Sequence, residues 1–312
     1  MPIGRGGSVA HATHRPHLFN KVAKVELVYK TWKAFQPYLL ATPQTLIFLM
    51  FLVFPIVMIV VVSFWQFNGY AMTPAFSFDN YINVFTSQVS LSTYINTFKY
   101  VVLVWSVCTA IALPIAYYLT FCIEHDSIRV LLFLVCTIPF WTSNIIRMIS
   151  WIPLLGREGS VNQLLLNLGI VQTPVEWFLY SDFAIVLGMV HLYNFFMIAP
   201  VFNSMMRIDR TLITAARDMG ASGFDVLKEI ILPLTAPGIA IGSIFIVTLT
   251  MGDYVTVRLM GGGQSASIGK LISTQIGSLQ YPLAAANAVI LLLITLVLVT
   301  GILRVVDIRK EL

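Results

Sequence analysis

Long apolar runs alternate with short polar segments along most of the chain. Six runs are long enough to cross a bilayer, since a spanning helix needs roughly 20 mostly apolar residues. They cover about 45–65, 100–123, 130–151, 183–205, 238–258 and 283–305. Lipid offers the backbone no hydrogen-bond partners, so each run is predicted to be one helix. The pattern therefore predicts an all-α polytopic membrane protein with six transmembrane helices.

Lysine and arginine residues are concentrated in alternate polar segments. They are frequent before the first run, between the fourth and fifth runs, and after the last run. The segments predicted on the other side carry fewer: Lys99, Arg157, Arg258 and Lys270. Because positive residues are retained on the cytoplasmic side, both termini are predicted to be cytoplasmic.

The runs divide the chain into predicted parts. Residues 1–40 form a basic cytoplasmic segment, either a helix along the membrane surface or a solvated tail. Residues 41–66 hold the first transmembrane helix, interpreted as an uncleaved anchor. Residues 95–306 form the core of spans two to six, which includes a cytoplasmic hairpin at 209–236. Residues 307–312 form a cytoplasmic tail.

The composition agrees with a membrane location. Of 312 residues, 58% are apolar and 11% are charged, against about 25% charged in soluble domains. The net charge of +5 is explained by the cytoplasmic segments, so nucleic acid is not an expected partner. The cysteines lie in apolar runs without metal or redox spacing. With no cluster of nucleophiles or metal ligands in the sequence, we expect neither enzyme activity nor a bound cofactor or metal.

The polar segment between the fourth and fifth runs carries signals for helix ends. Asp209 is suited to cap a first helix, and Gly220 is suited to end it in the left-handed conformation. Ser222 and Asp225 resemble a capping box at the start of a second helix. Pro233 and Pro237 are predicted to end the hairpin.

The second helix of the hairpin has an apolar ridge. Phe224, Leu227 and Ile231 share one face at helical spacing. Such a ridge can lie in a groove on another protein. It can equally pack against the ends of the chain's own spans, and the periodicity does not decide between the two.

A spaced set of residues runs through the hairpin. It consists of Thr214, Ala215, Ala216, Gly220, Ile230, Leu232 and Pro233. The set resembles the cytoplasmic signature of type I ABC importer permeases: Glu-Ala-Ala, three residues, Gly, nine residues, Ile, one residue, Leu-Pro. Every spacing is kept, and Thr replaces the usual Glu. The resemblance covers about residues 40–310 and implies that these residues couple the permease to an ATPase. Ala215 and Ala216 are expected to be small so that the partner can approach closely.

The same resemblance implies the architecture and the partners. It implies the type I permease fold in a bacterial inner membrane, working with a cytoplasmic ATPase dimer that holds ATP and Mg²⁺. It also implies a second, homologous permease subunit and a periplasmic solute-binding protein. The nearest glycine-rich stretch, GGGQSASIGKL, lacks the spacing of a phosphate-binding loop. The alternative is a secondary transporter or channel of six helices with no ATPase partner, which would need no docking hairpin.

Two predicted loops carry information about the class of transported solute. IPLLGREGSVNQLLLNLGI and GDYVTVRLMGGGQSASIGKLISTQI resemble the corresponding loops of the spermidine/putrescine subgroup of these permeases. That resemblance implies a polyamine-like or related amine-bearing solute.

Four residues are candidates for the translocation path. Asp253 could contact a cationic solute, or Asp253 and Arg147 could form a structural pair, since ionisable residues in membranes face cavities or each other. Arg147 could also extend towards the membrane surface. Trp141 and Tyr254 could line the path by cation–π attraction or anchor helix ends at the interface. Three polar residues of the fourth run could face a partner or the path, although a packed and hydrogen-bonded role is the main expectation for each: His191, Tyr193 and Asn194.

Overall fold

The computed structural model describes Trp32 and residues 36–306. Most of the predicted basic segment, with its proposed surface helix, and the tail 307–312 therefore lie outside the described residues. The chain divides into two units, Met1–Met58 and Ile59–Leu312.

The described residues are mostly helical. Two short antiparallel strands, β1 (Gln66–Phe67) and β2 (Met72–Thr73), form the one sheet described. The helices are α1 (Gln36–Val62), α2 (Asp79–Thr86), α3 (Gln88–Tyr117), α4 (Asp126–Thr137), α5 (Asn144–Leu155), α6 (Ser160–Asn167), α7 (Asp182–Met206), α8 (Arg210–Asp218), α9 (Gly223–Val226), α10 (Leu232–Gly252), α11 (Val255–Met260), α12 (Ile268–Gly277) and α13 (Tyr281–Val305). The π-helical turns are Leu49–Val53 within α1, Tyr118–Cys122 after α3 and Leu227–Ile231 between α9 and α10, and the 3₁₀ turns are Ile138–Trp141 and Glu176–Phe178.

Five helical segments of the described chain are long and apolar enough to cross a membrane. They are Gln36–Val62, Gln88–Cys122, Glu176–Met206, Gly223–Gly252 and Tyr281–Val305. A sixth crossing is present if the bent pair Asp126–Trp141 and Asn144–Asn167 counts as one span. Read in that way, the structure agrees with the predicted all-α fold of six spans.

The prediction of a single helix over 130–151 was wrong. The two halves of this segment meet at an angle of 89°. Pro139 lies in the 3₁₀ turn, Thr142 then has extended backbone, and Ser143 is also outside the helical conformation. Proline lacks an N–H group, and threonine and serine readily leave the helical conformation. The apolar character continues through the break, so hydropathy alone does not reveal it.

The prediction that prolines end the hairpin was also wrong. The second hairpin helix continues from Gly223 to Gly252 as part of the fifth span. The π-helical turn Leu227–Ile231 lies just before Pro233, and Leu232 N–H donates to the Leu227 carbonyl. A π turn shifts the hydrogen-bond register, which is one way for a helix to accommodate a proline. At its other end the span stops at Gly252, so the predicted limit of 258 was too late.

Helix α7 lies at the centre of the core and packs most extensively on α10 and α3. Its buried side chains include Ile185, Met189, Met197 and Met205. Glycines of α10 allow the close approach: a Cβ at Gly238 would lie 2.5 Å from the Pro200 carbonyl oxygen of α7. Small residues at such crossings let helix backbones pack closely in membranes.

Candidate coupling and translocation sites

The turn of the cytoplasmic hairpin is built by local capping, as the sequence predicts. Gly220 has φ +91°. Its N–H donates to the Arg217 carbonyl at 2.9 Å, and the Ala221 N–H donates to the Ala216 carbonyl at 3.0 Å. This pair of bonds is a Schellman motif, which leaves the residue after the helix in the left-handed region. The turn therefore depends on a residue without a Cβ at position 220.

The two hairpin helices are capped at their N-termini as predicted. The Asp209 carboxylate accepts from the Thr211 N–H at 2.9 Å, and this bond lowers the pKa of that carboxyl. The cap is therefore ionised at neutral pH and is lost only as the pH falls through the lowered pKa. Ser222 and Asp225 form the capping box, with the Ser222 N–H donating to Asp225 at 2.9 Å.

The apolar ridge of the second hairpin helix does not form a continuous docking surface. Ile231 is buried, Leu227 is half-buried against the core, and Phe224 is 70% exposed. Most of the ridge thus packs on the chain itself. The exposed apolar surface of the hairpin is instead at its turn, where Met219 is 83% exposed next to Gly220. We call Met219 and Phe224, which lie on either side of the turn, the exposed hairpin tip.

The signature residues fall on both sides of the hairpin. Thr214, Ala215 and Gly220 are exposed, and so is Pro233. Ala216 is buried in the core cluster of this chain, so its small side chain serves packing within the chain, and its contact with a partner stays a prediction. Ile230 and Leu232 are half-buried.

Two arginines bind the cytoplasmic end of the second span. Arg210, the first residue of α8, donates to the Thr120 carbonyl at 2.9 Å. Arg129 of α4 donates to the carbonyls of Leu119 and Ile123 at 3.1 and 2.7 Å. The last carbonyls of a helix lack intrahelical partners, and cations are favoured there. The hairpin is therefore joined directly to the end of the second span.

Asp253 lies at the break between α10 and α11 and is only 8% exposed. Its carboxylate accepts from the Tyr193 hydroxyl at 2.7 Å and from the Thr256 N–H at 3.0 Å. Its backbone carbonyl accepts from the Ser267 hydroxyl at 3.0 Å. Among the described residues it forms no ion pair with Arg147. Asp253 thus ties the fourth span to the start of α11, and the proposed pairing with Arg147 was wrong.

Arg147 lies in the first half of α5, beside a cavity of about 340 Å³. The side chain is 9% exposed, and its Nη2 group donates to the Asn144 side-chain oxygen at 2.7 Å. His191 of α7 lines the same cavity and accepts from the Trp151 indole N–H at 2.8 Å. The cavity therefore adjoins both the bent span and the central helix α7.

The two aromatic candidates are more exposed than the charged ones. Trp141 is 80% exposed, and its indole N–H donates to the Thr137 hydroxyl at 3.3 Å within its own turn. Tyr254 is 43% exposed. Neither lines the cavity beside Arg147. The structure therefore does not gather the four path candidates into one site.

A family comparison identifies this architecture. The family described as binding-protein-dependent transport system inner membrane component matches residues 126–310, which contain the hairpin and the last four spans. The chain belongs to this family. It is a permease of an ABC importer and an inner-membrane component of a binding-protein-dependent transport system. Membership in a family of transport-system membrane components agrees with a non-catalytic subunit.

Named relatives and solved structures resemble the permease over most of its length. It is 31% identical over 232 residues to the spermidine/putrescine transport system permease protein PotB of Escherichia coli, covering 74% of this chain and 81% of that protein. It is 31% identical over 218 residues to PotB of Haemophilus influenzae, covering 66% and 76%. A crystal structure of a bacterial ABC transporter involved in the import of the acidic polysaccharide alginate matches with a TM-score of 0.69 at 18% identity, covering 89% and 97%. This last likeness concerns the fold alone.

Sequence reasoning missed the two arginines at the end of the second span. In the sequence, both are simply basic residues next to the ends of apolar runs. A cation that follows the end of an apolar run, as Arg129 does, is a weak signal for capping of the preceding helix. Arg210 gives no such signal, because it follows the fourth run and is 90 residues away from its partner Thr120. Nothing in the sequence indicates that Tyr193 is the hydrogen-bond partner of Asp253, because 60 residues separate the two in the chain.

Arg210→Met should weaken coupling between the hairpin and the membrane domain. The substitution keeps the length of the side chain but removes the hydrogen bond to Thr120. We expect uptake to fall severalfold while ATP hydrolysis by the assembled transporter continues, in line with coupling changes of about 0.5–2 kcal/mol. Arg217→Met is the matched control, because Arg217 lies on the same helix and, within the described part of the chain, forms no hydrogen bond to the second span. Equal losses in the two variants would contradict a specific role for Arg210.

Asp253→Ala should lower the stability of the permease by about 1–3 kcal/mol, because the buried Tyr193 hydroxyl would lose its acceptor. Asp253→Asn keeps an oxygen for the Thr256 N–H and should be close to wild type, since Asn and Asp cap helices about equally well. Thermal unfolding in detergent measures both, with Glu158→Ala in an exposed loop as the control. Loss of uptake by Asp253→Asn at normal abundance would instead support contact with a cationic cargo.

Proposed function

We propose that this permease imports a small amine-bearing solute and is driven by a separate ATPase that docks on the exposed hairpin tip. The observation that carries the proposal is the construction of the hairpin. It is closed by a Schellman motif, exposes Met219 at its turn, and is joined to the second span through Arg210. A displacement of the tip would be passed directly to a membrane span.

The polarity of the tip suits a protein partner. Met219 and Phe224 are 83% and 70% exposed and lie on a segment that also carries charged residues. Exposed apolar side chains with a polar rim are typical of protein–protein contacts. The family is that of binding-protein-dependent transport systems, which supports a solute-binding protein as a further partner.

The proposed assembly has four kinds of component. They are this chain, a second and homologous permease subunit, a cytoplasmic ATPase dimer that holds ATP and Mg²⁺, and a periplasmic solute-binding protein. This chain also resembles a second spermidine/putrescine permease of Escherichia coli, PotC. The two are 34% identical over 104 residues, which cover 33% of this chain and 39% of PotC. That resemblance supports a heterodimer of two homologous permeases.

The proposed cargo class rests on the relatives. Two of them are named as spermidine/putrescine permeases. We propose a polyamine or a related solute that carries an amine. The solute-binding protein would make the first selection, and the permease would provide the path.

Uptake of radiolabelled amine-bearing solutes, putrescine and 4-aminobutyrate, by right-side-out membrane vesicles loaded with ATP tests the proposal. We expect uptake to need this chain, its solute-binding protein and ATP, and to persist when the proton gradient is collapsed. Uptake that follows the proton or sodium gradient and ignores ATP would overturn the proposal in favour of a secondary transporter.

A further inference from the structure

The cavity beside Arg147 offers hydrogen-bond donors that have no acceptors. It lies between α5 and α7 and has a volume of about 340 Å³. Its polar lining comes from Thr142, Arg147, Ser150, Trp151 and His191. No aspartate or glutamate lines it. The volume is enough for a small solute or one end of a longer one.

Arg147 is the first source of free donors. Its side chain is nine-tenths buried, yet Nε and Nη1 have no hydrogen-bond partner. The bond it does form, from Nη2 to Asn144, is to a neutral amide oxygen. A buried guanidinium without a carboxylate is costly unless an anion completes its hydrogen bonds. Arginine presents its N–H groups as a planar fork that matches a carboxylate or a phosphate.

His191 is the second source. The Trp151 indole nitrogen is a donor only, so the Nδ1 atom that it contacts at 2.8 Å must be the acceptor. The imidazole is therefore neutral with its proton on Nε2, which remains free to donate. By contrast, the hydroxyls of Thr142 and Ser150 already donate to the backbone carbonyls of Pro139 and Ile146.

The first turn of α5 adds to this polarity. Ser143 precedes the helix without a side-chain cap. Thr142, just before that turn, and Ile146, within it, line the cavity. Uncapped N–H groups at the start of a helix favour anions. The helix end alone would not define a site, but it lies beside the unpartnered guanidinium.

We propose that this cavity binds an anionic oxygen group, a carboxylate, of the solute during translocation. The proposal rests on the proposed function, because it places the cavity on the path of that solute. It narrows the cargo from a simple polyamine to a compound that carries an acid group as well as an amine. It also moves the main contact from Asp253, whose carboxylate already has two donors, to Arg147.

Two probes of equal chain length separate the possibilities. Putrescine has an amine at each end of four carbons, and 4-aminobutyrate replaces one end with a carboxylate. Binding of each would be measured on the complete permease complex, in nanodiscs of phosphatidylcholine, without ATP. Because no ATPase cycle is needed, failure of this test is distinct from failure of ATP-driven uptake.

We expect 4-aminobutyrate to bind more tightly than putrescine, and Arg147→Gln to weaken its binding by about tenfold or more. Arg147→Lys should be intermediate, because it keeps the charge and loses the fork. Arg157→Gln is the matched control: Arg157 is an exposed arginine paired with Glu176 at 3.5 Å, and its loss should leave binding unchanged.

Stability of the empty complex is a second readout. Removing an unpaired buried charge should leave the thermal midpoint of Arg147→Gln equal to or above that of wild type. A purely structural arginine would lower it. Equal binding of 4-aminobutyrate by wild type and Arg147→Gln, or a lower midpoint together with unchanged binding, would overturn the proposal.

The anionic group that binds in the cavity could also come from a lipid headgroup instead of from a solute. The midpoint would therefore also be measured in nanodiscs that contain phosphatidylglycerol. If phosphatidylglycerol raises the midpoint in an Arg147-dependent way and 4-aminobutyrate does not, the cavity binds a lipid phosphate and the cargo assignment is overturned.

Discussion

Replacing Gly220 with valine is expected to abolish ATP-driven uptake while leaving the permease in the membrane. Gly220 has φ +91°, and a Cβ there would meet nothing within 4 Å. The free-energy cost of the substitution therefore comes from the backbone conformation and not from a clash with neighbouring atoms. A β-branched residue in this region is strained by about 1–3 kcal/mol. The Schellman motif would open, and the exposed hairpin tip would lose its geometry.

Gly223→Ala is the control for this prediction. Gly223 is in the same hairpin with open space around it and an ordinary φ. Uptake and membrane abundance would be measured for both variants. Normal uptake in Gly220→Val would show that the hairpin turn is not needed for coupling.

Replacing Gly238 with alanine should damage the membrane domain itself. The new Cβ would lie 2.5 Å from the Pro200 carbonyl oxygen and 2.6 Å from the Ser204 Cβ. The oxygen belongs to the backbone of α7, so α7 and α10 would have to separate. Overpacking of this kind costs typically 1–3 kcal/mol and sometimes more. We expect a lower thermal midpoint and a severalfold fall in membrane abundance.

Gly301→Ala tests whether the effect at Gly238 comes from packing. Gly301 also lies in a spanning helix, and nothing lies within 4 Å of its added Cβ. Alanine is a better helix former than glycine by roughly 0.5–1 kcal/mol, so this variant should be unchanged or slightly stabilised. A similar loss in both variants would indicate that helix propensity, and not the α7–α10 contact, is responsible.

Local features of the site could be predicted from the sequence. The caps at Asp209 and Ser222 and the left-handed Gly220 depend on residues within five positions of each other, and the structure has all three. The six apolar runs were predictable for a similar reason, because span length and hydropathy are properties of one segment.

Features that depend on distant partners could not be predicted. Ala216 gives no sign in the sequence that it packs on this chain rather than on a partner. Asp253 pairs with Tyr193 and not with the opposite charge of Arg147. The break after Trp141 and the π turn before Pro233 change hydrogen-bond register without changing hydropathy. Tertiary contacts and backbone register decide these positions, and neither is encoded in the apolar pattern.

Docking of an ATPase at the hairpin can be measured directly by site-specific photo-crosslinking in intact membranes. A photo-reactive amino acid would replace Met219, which is 83% exposed at the hairpin tip, or Tyr70, which is 98% exposed between β1 and β2 on the opposite side. Adducts would be identified by mass spectrometry. We expect an ATPase adduct from position 219 and none from position 70. Coupling through this hairpin would be contradicted if position 219 gave no ATPase adduct. It would also be contradicted if both positions gave the adduct in equal amounts.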